Sequence, residues 1–186
     1  MAERMAARLM DATTPLTERY AERIAAAFAK YPDKRSAVMP ILFLAQETYG
    51  YLTAEALREV AALCEMDPTQ VQSIAGFYTM YRERPKGRYW LQVCTDLPCA
   101  LNGADAFYRD LQEYLGIHEE GGTSADGLFT LEHVMCLAAC DKAPMLQCNF
   151  RYLESLDLAK MKAFIEEKRA ELEREVANGA VAGEGA

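Results

Sequence analysis

Cys94 and Cys99 stand in C-T-D-L-P-C, and Cys136 and Cys140 in C-L-A-A-C, with 36 residues between the two pairs. No other feature constrains the fold as strongly. The chain must run out from the first pair and come back so that four soft sulfurs can face one inorganic centre. Thiolates of this kind suit iron–sulfur clusters, zinc or Cu(I). The first reading is therefore a soluble metal-cluster protein that carries electrons.

The bulk chemistry narrows the setting. A net charge of −8 over 186 residues argues against a nucleic-acid partner, which needs a basic face. The longest strongly apolar run, Val38 to Ala45, falls far short of the roughly 20 residues that cross a bilayer, so no direct membrane insertion is expected. The start, M-A-E-R-M-A-A-R-L-M-D, carries Glu3 and Asp11 and lacks the continuous apolar core of a secretory signal; an organelle-targeting segment is the lesser reading. Six cysteines without such a signal imply a reducing compartment, where clustered cysteines bind metal or do redox chemistry more often than they form disulfides.

The first part of the chain reads as helical. Thr14-Pro15 is a start signal, Tyr20, Ile24, Phe28 and Tyr31 recur at helical spacing, and Pro32-Asp33 ends the run. Ser36 is expected to cap a second helix that tolerates Pro40 and stops at Gly50. Leu52-Thr53 opens a third, with Leu57, Val60, Ala61 and Cys64 inward, and Asp67-Pro68-Thr69-Gln70 opens a fourth with a capping box. The aromatics Phe77, Tyr78 and Tyr81 read as core or as a partner surface. After the charged linker Arg82 to Gly87 the period changes to two: Tyr89, Leu91 and Val93 alternate with Arg88, Trp90 and Gln92, which predicts a strand ending at Cys94. Cys99 follows Pro98 on a predicted loop. Phe107, Leu111, Tyr114 and Leu115 mark a helix closed by Gly116. Leu128 to Val134, Met145 to Cys148 and Asn149 to Tyr152 read as strands, and Asp157 caps a last amphipathic helix bearing Leu158, Met161, Phe164 and Ile165. Residues 178–186, rich in Gly and Ala, read as a flexible tail.

Spacing and surroundings leave several centres open. Zinc prefers shorter Cys-x-x-Cys knuckles, and a thioredoxin-type dithiol needs C-x-x-C at a helix start. A [2Fe–2S] cluster takes four thiolates on wider loops. Small or apolar neighbours such as Ala100, Leu101, Leu137, Ala138 and Ala139 let backbone N–H groups approach sulfur and keep bulk water away. Cys64 and Cys148 read as buried small hydrophobes, with Cys148 as the alternative ligand; His118 and His133 read as surface or structural. No G-x-G-x-x-G follows a strand, so nothing in the chain looks like a dinucleotide fingerprint.

Taken together, K-R-S-A-V-M-P-I-L-F-L-A-Q-E at 34–47, A-G-F-Y-T-M-Y at 75–81, Q-V-C-T-D-L-P-C at 92–99, D-G-L-F-T-L at 126–131, C-L-A-A-C at 136–140 and A-P-M at 143–145 are specific. Over about 34–157 the chain resembles the 24-kDa-type subunits of NADH–quinone oxidoreductase (respiratory complex I), a thioredoxin-like [2Fe–2S] ferredoxin family. The resemblance implies an α+β fold: an N-terminal helical bundle over 1–85, then a thioredoxin-like α/β domain over 86–177. It implies Cys94, Cys99, Cys136 and Cys140 as ligands of a [2Fe–2S] cluster. It also implies an electron-transfer subunit of NADH dehydrogenase, not catalytic alone, that exchanges single electrons with FMN. Both FMN and NADH would be held by a partner flavoprotein subunit, beside other peripheral-arm subunits on the cytoplasmic side of the inner membrane; the mitochondrial matrix is the lesser reading. Related subunits serve NAD-linked hydrogenases and formate dehydrogenases. A zinc-stabilised interaction module and a thioredoxin-like thiol enzyme are the other rivals.

Three positions depart from the family's habit. Ala138 replaces the glycine of C-L-G-A-C, and because alanine takes a positive φ only at a cost, ordinary backbone angles are expected there. Asn149 is followed by Phe150 in place of an acid, which puts any hydrogen-bond role of that acid in doubt. Gly76 stands where Thr or Ser is usual.

Overall fold

Between Pro85 and Lys86 the chain divides into two units. The computed structural model describes the backbone over residues 14–183 and the side chains over residues 14–178; the expectations for the leader and for residues 184–186 lie outside the described residues.

The first unit is helical: α1 (Leu16–Arg19), α2 (Ala21–Phe28), a 3-10 turn (Lys34–Ala37), α3 (Val38–Tyr49), α4 (Ala54–Cys64) and α5 (Pro68–Phe77). One continuous first helix is not what forms: Tyr20, at φ −129° and ψ 29°, breaks it. Leu16 drops into the core and its N–H donates to Glu59 Oε1 at 2.6 Å, so a tertiary bond fixes the break. Ser36 lies inside the 3-10 turn, and the cap of α3 is Ala37. Gly50 ends α3 at φ 79°, a region that glycine enters without steric cost. The Thr53 hydroxyl caps α4 by accepting from the Ala56 N–H. Asp67 caps α5 by accepting from the Thr69 N–H, an Asx turn in place of the expected box.

Leu16, Ile41, Leu42, Ala45, Val60, Cys64 and Val71 form the core of this unit. Each large side chain there contributes roughly 1.5–3 kcal/mol by leaving water. The aromatic stripe divides: Tyr81 is buried and donates its hydroxyl to the Met39 carbonyl at 3.0 Å, while Phe77 and Tyr78 stay exposed.

The second unit is a four-stranded sheet with helices: β1 (Tyr89–Cys94), α6 (Leu97–Leu101), α7 (Ala104–Leu115), β2 (Phe129–Val134), a 3-10 turn (Cys140–Lys142), β3 (Leu146–Cys148), β4 (Arg151–Leu153) and α8 (Leu158–Gly183). The strand order is β2-β1-β3-β4. β1 and β2 run parallel with Cys94 opposite Val134, and α7 lies in the connection that parallel pairing requires. β1 with β3, and β3 with β4, run antiparallel. Helices and a mixed sheet make the fold α+β.

One face of the sheet, with Leu91, Val93, Phe129, Leu131, Leu146 and Cys148, packs on Phe107 and Leu111 of α7 and on Met161 and Ile165 of α8. The start of β1 is tied to α8 by Arg88, whose Nη1 and Nη2 donate to Glu175 at 2.8 and 3.0 Å. Gly87 is required at the entry to β1, because a Cβ there would stand 2.7 Å from the Leu128 carbonyl oxygen.

Three features of this unit differ from the reading of the sequence. β1 is buried on both faces past Tyr89, so its alternation separates an apolar face from a polar but equally dry one. Cys99 sits within α6 and not on a loop, because Leu97-Pro98 provides a favourable first turn. α8 continues to Gly183, so helix occupies residues 178–183 of the expected tail; the alanines there have the highest helix propensity.

Candidate [2Fe–2S] site

β1 delivers Cys94 to the end of the sheet, and α6, starting three residues later, turns Cys99 back toward it. Both are nearly inaccessible, and they pack with Ala104 at the head of α7 and Met145 just before β3. Cys136 lies just beyond the end of β2, and Cys140 opens the 3-10 turn that leads to β3; both are exposed. Leu137, Ala139 and Ala143 from this loop pack onto the buried pair, so the two halves of the site close on each other.

The thiols sense one another. Burial, then a hydrogen bond with Cys94, then the neighbouring charges of Cys94, Cys140 and Cys136 push the Cys99 thiol up to about 12. The Cys140 thiol is raised by its hydrogen bond with Cys136, by burial, and by Cys136, Cys94 and Asp96. The sulfurs thus associate as Cys94 with Cys99 and Cys136 with Cys140, and each pair feels the charge of the other. Thiols placed this close to one another need a cation to become thiolates together, because a bound metal reverses the local electrostatics. Two pairs also match a centre that takes two thiolates at each of two irons. Among the described residues no three Cys, His, Asp or Glu side chains group around a single ion.

Backbone geometry around the loop favours sulfur as an acceptor. The Ala138 N–H donates to Cys136 Sγ at 3.3 Å. Ala138 adopts φ 60°, contrary to the ordinary angles expected for alanine: the left-handed turn that suits a glycine is kept, and it carries the chain on from Leu137 to Ala139. The loop is tied at both ends. The Tyr152 hydroxyl donates to the Leu137 carbonyl at 2.6 Å, and the Lys142 N–H donates to the Ala139 carbonyl at 3.0 Å. After β3, Asn149 and Phe150 form a tight hairpin turn at φ 45° and 69°. The Asn149 side chain accepts from the Trp90 N–H and donates to the Arg88 carbonyl, so it is the asparagine that bonds β1.

The other sulfurs and the histidines lie apart from this arrangement. Burial pushes Cys64 and Cys148 up to about 11; the first is in the core of the helical unit and the second faces α7 and α8. His118 is exposed, and His133 bonds Glu120 at 3.0 Å. Sequence reasoning missed Tyr152, Met145 and a buried polar row of Gln92, Glu132 and Gln147. The only signal for that row was a glutamine between apolar neighbours in each of two strands.

The family model for the thioredoxin-like [2Fe–2S] ferredoxin matches residues 24–169. An NADH-quinone oxidoreductase subunit from Rhizobium meliloti is 43% identical over 149 residues, which are 80% of this chain and 88% of the relative. An NADH-quinone oxidoreductase subunit from Mycobacterium bovis is 39% identical over 152 residues, 81% of this chain and 60% of that longer protein. Among solved structures, an NAD+-reducing [NiFe]-hydrogenase in the air-oxidized state aligns with a TM-score of 0.61 at 25% identity, covering 70% of this chain and 23% of the hydrogenase chain.

Proposed function

We propose, for a chain that belongs to the thioredoxin-like [2Fe–2S] ferredoxin family, the role of electron-transfer subunit of NADH–quinone oxidoreductase, with Cys94, Cys99, Cys136 and Cys140 as the cluster ligands. The observation that carries this reading is the convergence of two thiol pairs, one buried and one exposed, at the same end of the sheet. The cofactor is a [2Fe–2S] cluster, which supplies one-electron oxidation and reduction without proton or group transfer.

The residues of the chain hold and shield that centre. Cys94 and Cys99, packed against Met145 and Ala104, would hold it from the buried pair, and Cys136 and Cys140 from the exposed pair, where the Ala138 N–H would stabilise charge on sulfur. Leu97, Leu101 and Met135 flank the cysteines in sequence and remain 68%, 78% and 75% exposed. Apolar side chains left in water beside a redox centre suit a surface that another protein covers.

That protein is the flavoprotein subunit that binds NADH and FMN, within a peripheral arm on the cytoplasmic side of the membrane. Among the described residues no helix is long and apolar enough to cross a membrane. The hydrogenase likeness favours a second reading, the equivalent subunit of an NAD-linked hydrogenase.

Purification of the tagged chain from its native source tests the assignment. FMN and NADH:ferricyanide reductase activity should accompany it, with quinone reductase activity and without hydrogenase activity. Recovery of the cluster-loaded chain free of flavin would contradict it.

A further inference from the structure

On the face of the sheet turned away from α7 and α8, Gln147 Nε2 donates to Gln92 Oε1 at 2.9 Å and Gln92 Nε2 donates to Glu132 Oε1 at 3.0 Å. Glu132 Oε2 accepts from Lys86 Nζ at 3.0 Å, and the Lys86 ammonium stands 5.3 Å from the centre of the Trp90 ring. The pairing register makes this one row across three strands: Gln92 is opposite Glu132 of β2 and Gln147 of β3. Both glutamines are buried, and the charged pair is only 14% and 18% exposed.

Cys94 is the next residue but one along β1, on the same face as Gln92, at about 7 Å by the rise of a strand. Met145, which packs on Cys94, follows the same alternation from Gln147. The charged row therefore underlies the buried half of the cysteine site. A buried ion pair bound to two buried amides adds little stability over apolar packing. Its charges act over several ångströms because the surroundings are dry.

We propose that the Lys86–Glu132 pair, held in register beneath Cys94 by Gln92 and Gln147, sets the reduction potential of the centre that Cys94 ligates. This rests on the ligand assignment above. Reduction adds negative charge to the centre. An unopposed Glu132 carboxylate disfavours that charge, and an unopposed Lys86 ammonium favours it.

The test is a redox titration followed by EPR on cluster-loaded protein. Glu132→Gln should shift the midpoint upward and Lys86→Met downward, and the double variant should return close to the wild-type value. Lys86→Arg, which keeps the charge, should leave it nearly unchanged. A purely structural role predicts no such opposition. Shifts of the same sign, no shift with an unaltered EPR line shape, or an Arg variant displaced as far as the Met variant would overturn the proposal. If Glu132→Gln does not fold, Lys86→Met decides alone, since Lys86 lies outside the strands. A Lys86→Met protein that cannot hold the cluster also overturns it, because the pair would then serve assembly. Full iron and sulfide in Cys94→Ser would strike the ligand assignment instead, a result read from metal content and not from the potential.

Discussion

Ala138 donates its backbone N–H to the sulfur of Cys136 at 3.3 Å from a left-handed backbone at φ 60°. The hydrogen bond closes the loop ahead of Ala138, and the left-handed φ turns the chain after it toward Ala139 and Cys140.

Ala138→Gly should therefore relieve strain while keeping the turn. The left-handed region costs a non-glycine residue roughly 1–2 kcal/mol, part of which is offset by the greater freedom of glycine in the unfolded chain. The expected gain in stability is about 1 kcal/mol or less, read as a higher urea midpoint, with iron content unchanged.

Replacement of single cysteines should divide them cleanly. Cys94→Ser or Cys136→Ser lowers bound iron and sulfide to a small fraction of wild type. Cys64→Ala and Cys148→Ala keep both and lose only roughly 1 kcal/mol of stability from the buried sulfur. Metal and sulfide analysis with thermal melts checks the two groups together.

Asn149 is the hydrogen-bonding link between the β3–β4 turn and the start of β1. Its Oδ1 accepts from the Trp90 N–H at 3.0 Å and its Nδ2 donates to the Arg88 carbonyl at 2.8 Å, from φ 45°. Asn149→Ala removes both bonds and puts alanine in a left-handed conformation. A loss of about 2–3 kcal/mol is expected in urea unfolding, and Asn149→Gly should lose less than Asn149→Ala.

Acid should weaken the second unit through Asp126. Burial alone would raise this carboxyl, but the Ser124 hydroxyl, the Leu128 N–H and the Arg169 guanidinium together hold it below the ordinary aspartate range. A carboxyl held low in the folded state contributes its stability in full above the unfolded value of about 3.9. That contribution is lost as pH falls through the lower folded value. The melting temperatures of wild type and Asp126→Asn should differ most above about pH 5, and the difference should shrink as pH falls through the unfolded value of about 3.9 and on through the lowered folded one.

Local chemistry made much of this fold legible. The Thr53 hydroxyl, the Gly50 and Gly116 turns, the Asp157 cap and the period-two run from Tyr89 act within a few residues of where they stand. What stayed hidden depends on distant partners. The break at Tyr20 follows from Glu59 receiving the Leu16 N–H. The dry polar face of β1 follows from Gln147, 55 residues away, meeting Gln92. The conformation of Ala138 departs from its propensity, which weighs a residue alone, because the loop ties at the Leu137 and Ala139 carbonyls decide it. The cysteines were legible as two pairs from spacing, but which pair is buried is set by Ala104 and Met145, which spacing does not show.

Iron and acid-labile sulfide measured per chain on anaerobically purified protein, with EPR after dithionite reduction, test the ligand assignment most directly when run on wild type beside the four variants Cys94→Ser, Cys99→Ser, Cys136→Ser and Cys140→Ser. The account predicts two irons, two sulfides and a rhombic EPR signal in wild type, as the [2Fe–2S] family requires, and loss or marked weakening of all three in each variant. Zinc in place of iron and sulfide, persisting after chemical reconstitution, or full retention in the variants, would contradict it.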